Sequence, residues 1–269
     1  MVRVIEIPPL SGDELPERIR DRKRVINNIT LRSNQQNPMK KFNLVSNDEF
    51  QMTLFRYFRQ HGFFYQRRER EWAQRSRELR SIGIEKGPGI KKLVQLIASF
   101  HADKGAKGLG PANAKVAVGK LFEEIPYGEI SKTKPDLALQ LFLVSENIDD
   151  VYRDVAARRK GLRDVRGHAN LTLFALVTAV MRSAGAQWGH PSLTTDLLGQ
   201  WDAWGDWVKP WRLLVEEGAR AVLSTYKSES RGRDELTMNN FFKNRSYVDA
   251  ALGKANTAKL RRLARDVIG

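Results

Sequence analysis

Between residues 34 and 68 the chain gathers side chains whose hydrogen-bonding geometry is fixed. Asn34, Gln35, Gln36 and Asn37 place four amides in a row, each with donors and an acceptor on one planar group. Such a run binds base edges and phosphates in one reading. In the other it caps two helices and braces the loop between them. Lys40 and Lys41 follow with positive charge, and then Asp48 and Gln51, whose spacing of three puts them on one face of a helix start. Capping needs only Asp48. The stretch closes on Tyr65, Gln66, Arg67 and Arg68. Asn34, Gln36, Asn37, Lys40, Lys41, Arg67 and Arg68 form the candidate nucleic-acid-binding set, with Asp48, Gln51 and Tyr65 in support.

Complete catalytic constellations are absent from the sequence. His61, His101, His168 and His190 stand alone, with no HExxH, no HNH-like grouping and no GxSxG turn. Asp149, Asp150 and Asp154, with Glu123 and Glu124 upstream, offer a divalent-metal cluster on paper. Arg153 and Arg158 beside them make salt-bridged surface the plainer reading. No metal site and no cofactor are assigned; magnesium would enter only with a nuclease.

The elements that must position these residues follow from periodicity and punctuation. Val2 to Ile7 alternates apolar and charged residues up to Pro8 and Pro9 and reads as a short strand. A helix is expected from Ser11 to about Leu31. After Pro38, Asn47 is the expected N-cap of a helix whose Phe50, Leu54, Phe55 and Phe58 recur at helical spacing. Gly62 ends it, and Phe63 to Tyr65 reads as an aromatic strand. From Arg56 to Arg80 there are eight Arg against three Glu, a pattern shared by phosphate-tracking surfaces and self-bridged exposed helices. KGPGIKK, residues 86–92, opens another helix and reads as a hinge, and DKGAKGLG, residues 103–110, as a basic tether.

Beyond Pro111 the pattern is helical nearly throughout. Expected helices cover 112–122, 135–144 and 148–162; Asn170 is the expected cap of an all-apolar, buried helix. Trp201, Trp204 and Trp211 are spaced for core packing, base stacking being the rarer use of such a face. Lys254, Lys259, Arg261, Arg262 and Arg265 make a second basic patch. The expected fold class is mainly α, a multi-helix domain with a small N-terminal strand and aromatic strand element. Residues 1–85 form the motif region and 86–269 a helical domain.

Composition narrows the partners. Lys plus Arg exceed Asp plus Glu by 46 to 31, a net charge of +15, and self-repulsion on that scale is relieved by a polyanion. Nucleic acid, DNA or RNA, is the commonest. With no cysteine, disulfides, thiolate nucleophiles and zinc–thiolate sites are excluded, which suits a cytoplasmic protein. The longest apolar run, 171–181, is too short to cross a bilayer.

The run SNQQNPMKKFNLVSND, the Gln at 51 and GFFYQRR resemble the core of the abortive infection phage resistance (AIPR) family, with its TNSQNP-like segment, following Asp and Gln, and GYFYERK-like strand. The likeness is dense over about forty residues. Two departures stand out. The family's upstream NGxQT segment is missing, and Gln66 replaces an acid, so a carboxylate-metal nuclease reading of that strand fails. The resemblance implies the C-terminal part of an antiphage defence protein that binds nucleic acid, its other half missing or supplied by a second chain. Two alternatives accompany it: part of a nuclease or nucleotide-processing effector completed elsewhere, and a helical scaffold in a defence complex.

Overall fold

The computed structural model describes residue 25 and residues 41–101, 107–202 and 205–269. The expected strand at 2–7 lies outside these, and of the helix expected over 11–31 only Val25 is described, as helical. Among the described residues, the regular elements of the unit Lys41–Gly269 are all helices. In chain order they are α1 (Lys41–Val45), α2 (Glu49–Gln60), α3 (Glu71–Ser81), α4 (Ile90–Phe100), α5 (Pro111–Val116), α6 (Glu124–Ile130) and α7 (Pro135–Arg158). Then follow α8 (Lys160–Ser183), α9 (Pro191–Asp202), α10 (Val208–Glu229), α11 (Met238–Phe241), α12 (Arg245–Ala255) and α13 (Ala258–Ile268). A 3-10 turn, Val118–Phe122, joins α5 to α6.

The centre is made by α7, α8 and α10, which pack on one another while α4, α9, α12 and α13 close round them. Leu173, Phe174, Leu176, Val177, Val180 and Met181 of α8 are all buried, as an apolar run without a polar face requires. Asn170 does not cap this helix. It lies inside α8, which starts ten residues earlier at Lys160. Likewise α7 runs unbroken over 135–158 where two helices were expected. Ser145, Glu146 and Asn147 look like a break in the sequence, but Ser145 and Asn147 are buried on a helix held from both sides, so packing overrides propensity. The expected helix over 112–122 divides at Ala117, whose φ of −138° is not helical. Trp211 is fully buried and Trp201 meets Phe63 edge-on at 6.2 Å, both core contacts.

The aromatic strand needs correction, because no strand is present among the described residues. Residues 63–66 are extended, and they meet the segment before α4 in a single parallel bridge, Gln66 to Gly89. Phe64 N donates to Lys86 O, Gln66 N to Pro88 O and Ile90 N to Gln66 O, each at 2.9 Å. Pro88 has no N–H, so the pairing cannot grow into a ladder. Gly87 is required here: a Cβ would lie 1.9 Å from the Phe64 carbonyl oxygen. KGPGIKK thus clamps the aromatic segment as well as opening α4. A small satellite core of Phe64, Leu79 and Ile84, joined by Phe55 and Trp72, lies under α3.

Candidate functional site

Asp48 starts the site. Its backbone is extended (φ −68°, ψ 168°) and its Oδ1 accepts from Gln51 N at 2.8 Å, so Asp48, one residue beyond the expected Asn47, is the N-cap of α2. A Gln three residues after such a cap ordinarily reaches back to the cap's own N–H. Here it does not. Asp48 N donates to Val45 O, which frees the Gln51 side chain to turn inward, where it is fully buried.

What Gln51 meets there is a directed chain of hydrogen bonds. Tyr65 OH donates to Gln51 Oε1, Gln51 Nε2 donates to Tyr127 OH at 2.8 Å, and Tyr127 OH donates to Asp48 Oδ2. Three elements distant in sequence are joined: the start of α2, the extended aromatic segment and α6. Burial raises the Asp48 pKa above the usual carboxylate range, against the lowering pull of Tyr127 and the Gln51 N–H. Burial and the nearby carboxylate also push the Tyr127 and Tyr65 phenols up. The Tyr127 ring is fixed by stacking on Phe122 (centroids 6.0 Å) and by the edge of Phe50 (6.3 Å).

This chain ends at open space. A cavity of about 500 Å³ is lined by Asp48, Glu49, Phe50, Thr53, Tyr127 and Thr133, among others. Its wall is acidic and hydroxylic with aromatic surface, and among the described residues no Lys or Arg lines it. Thr133 is only 7% exposed, yet its Oγ1 has no hydrogen-bond partner, an arrangement that native interiors rarely tolerate without a purpose.

On the other side of the Asn47–Asp48 turn stand the two predicted arginines. Arg67 is buried. Its NH1 donates to Ser46 O at 2.9 Å and Asn47 Oδ1 at 3.3 Å, and its guanidinium lies 4.7 Å above Phe55. It holds the turn from within. Arg68 is exposed and donates to the same Asn47 Oδ1 at 2.8 Å. Glu71 accepts from the backbone N of both. Asn34, Gln36, Asn37 and Lys40 lie outside the described residues, and of Lys41 only the backbone is described, as the first residue of α1.

Around Arg68 the surface is cationic. Arg56, Arg59, Arg70, Arg77 and Arg80 are exposed, and the neighbouring acids are committed elsewhere: Glu78 to Arg75 at 2.7 Å, Glu69 to Lys91 at 3.6 Å and Glu71 to its two backbone donors. Arg70, Arg77 and Arg80 share one side of α3 by their spacing. In the C-terminal patch, Lys254 and Lys259 instead pair with Glu229 and Glu217 at 2.7 and 2.8 Å.

Two other features are accounted for by internal pairing. The suspected acid cluster binds Lys92, Arg153, Arg158 and Arg212, and no group of metal-holding residues occurs among the described residues. A second cavity, about 490 Å³ between α4, α5, α7 and α8, contains Lys92 and Lys115. Lys92 is taken by Glu146 and Lys115 by the His168 carbonyl. Burial, then Lys243, lowers the Lys115 pKa to about 8. No described helix is long and apolar enough to cross a membrane.

Sequence reasoning placed Asp48, Gln51 and Tyr65 in one motif and missed the residues that complete it. Tyr127 and Thr133 carry no local signal, being 79 and 85 positions from Asp48. The model of one protein family, described as AIPR protein, matches residues 1–167, a span that contains every member of this site. No curated protein and no solved structure matches the chain.

Proposed function

The chain belongs to the AIPR family, the abortive infection phage resistance proteins, and from that premise we propose that it serves antiphage defence by binding nucleic acid. The observation that carries this reading is the run of exposed arginines on α2, α3 and the turn before α3, which form no ion pair among the described residues while Glu78, Glu69 and Glu71 are engaged by Arg75, Lys91 and backbone N–H groups. A cationic surface that retains its charge is suited to a phosphate backbone. Arg68 belongs to that face; Asn34, Gln36, Asn37, Lys40 and Lys41 are proposed as further nucleic-acid contacts on the strength of the sequence alone. Arg67 supports the face from inside by holding Ser46 and Asn47.

Affinity for single- or double-stranded oligonucleotides, measured across a salt series, tests the proposal. Counterion release predicts a log–log slope that becomes shallower by about 1 for each phosphate contact removed. Arg77→Ala with Arg80→Ala should flatten it by about 2 at unchanged melting temperature. Lys40→Ala with Lys41→Ala should flatten it as well. An unchanged slope in both double variants removes this face from the contact surface.

A further inference from the structure

We propose that the cavity at the start of α2 is a nucleobase pocket, which takes the amino-bearing edge of a cytosine or adenine from the strand held by the arginine face. This rests on the nucleic-acid reading above and adds what is recognised and where. Asp48 offers carboxylate lone pairs beyond those engaged by Gln51 N and Tyr127 OH, and exocyclic amines at cytosine N4 and adenine N6 are matching donors. Thr133 lines the same space, and its Oγ1, over nine-tenths buried, has no hydrogen-bond partner. A ring nitrogen or carbonyl beside the amine would satisfy it. Phe50 and Tyr127 give the aromatic surface against which a flat base packs.

Size and surroundings agree. A cavity of about 500 Å³ has room for a nucleoside. Glu49 and Thr53 line it, and Arg56, which is exposed, follows Thr53 by one turn on that helix face. A base seated against Asp48 therefore has a cation within a turn for its phosphate. The chief competitor for an acidic pocket is the ammonium or guanidinium of a basic peptide. The arginines on α2 and α3 repel such a partner, and an ammonium brings only donors, so it supplies no acceptor for the Thr133 hydroxyl.

Homopolymeric oligonucleotides of cytosine, adenine and thymine should be compared by fluorescence anisotropy on the full chain and on two variants. Asp48→Asn keeps a good N-cap, and Thr133→Val keeps the side-chain volume. The wild type should prefer cytosine or adenine over thymine by about tenfold, in keeping with a hydrogen bond to a charged group. Both variants should approach parity among the three. Parity in the wild type, a preference that survives both substitutions, or displacement of the oligonucleotide by arginine amide at the Thr133 methyl resonance overturns the pocket. If no oligonucleotide binds, the nucleic-acid reading falls by itself, and cytidine and adenosine titrated against that methyl resonance still decide the pocket. Saturable shifts lost in Asp48→Asn uphold it, and their absence overturns it.

Discussion

Gln51 and Gln140 are both completely buried, and each sits in a network with an aspartate from the first turn of a helix or its cap. Gln140 is enclosed on every side. Its Nε2 reaches Asp136 Oδ2 at 2.7 Å, His190 O at 2.8 Å and Thr194 Oγ1 at 2.9 Å, and its Oε1 accepts from Gly189 N at 2.9 Å. Asp136 accepts in addition from Tyr57 OH at 3.0 Å and from the Thr194 hydroxyl. Among its side chains, no polar atom is left over. The Gln51 network uses the same residue types but ends at Asp48 and Tyr127 on a cavity wall, with Thr133 unpartnered beside it. A buried polar network that is fully satisfied fastens helices together, whereas the one beside the cavity retains hydrogen-bonding capacity that the proposed pocket would use.

The sharpest way to break this distinction is Gln140→Leu. It orphans the Gly189 N–H and strips Asp136 and Thr194 of a donor, so urea unfolding should show a loss of about 3 kcal/mol with oligonucleotide affinity unchanged. A loss below about 1 kcal/mol would mean that the enclosed network is not what fastens α7 to α9.

Next in size is Tyr65→Phe, which deletes one donor to Gln51 and should cost about 1.5 kcal/mol by the same measurement. It should also weaken discrimination among bases, since Gln51 orients Tyr127 and Tyr127 orients Asp48.

A pH series sharpens the comparison from a different direction. Asp48 has a raised pKa in the folded chain, chiefly through burial, so the fold holds this proton more tightly than the unfolded chain does. The stability tied to that proton is complete below the unfolded value of 3.8 and is lost as pH rises through the folded one. Relative to Asp48→Asn, the wild type should therefore lose ground from acid toward neutral pH and then level off, as read by chemical denaturation at each pH. A difference that runs the other way would show that Asp48 is stabilised as a carboxylate.

The smallest expected effect is Thr133→Val. Because Oγ1 has no internal partner, its removal should leave stability within about 0.5 kcal/mol of wild type or raise it, seen as a melting temperature that does not fall. A clear loss would show that the hydroxyl is satisfied in solution and that the two networks are alike.

How much of this was legible in the sequence depends on distance along the chain. The amphipathic spacing of Phe50, Leu54 and Phe58 set α2, and Gly89 and the apolar run behind it set α4, because both are local patterns. The pairing of Asp48 with Gln51 was legible as a helix start, but the inward turn of Gln51 was not, since its partners Tyr65 and Tyr127 come from other elements. Gln140 gave no signal: apart from Asp136, one turn before it, its partners lie about fifty residues away in the loop before α9 and in α9 itself. Arg67 and Arg68 look equivalent in sequence, and only tertiary packing sends one inside and leaves the other in water. The aromatic segment kept its extended form but lost its strand character to a neighbouring proline.

Helix α2 belongs to both networks, through Gln51 near its first turn and Tyr57 near its last, the latter bound to Asp136 of α7. It is a beam pinned at two points along its length, with Asp48 projecting past the first pin. A visitor arriving at that end meets a frame already stiff, so little disorder remains to be surrendered on contact. Recognition there should consequently be governed by shedding water from the carboxylate, and discrimination should come from shape and donor pattern with no refolding of the host.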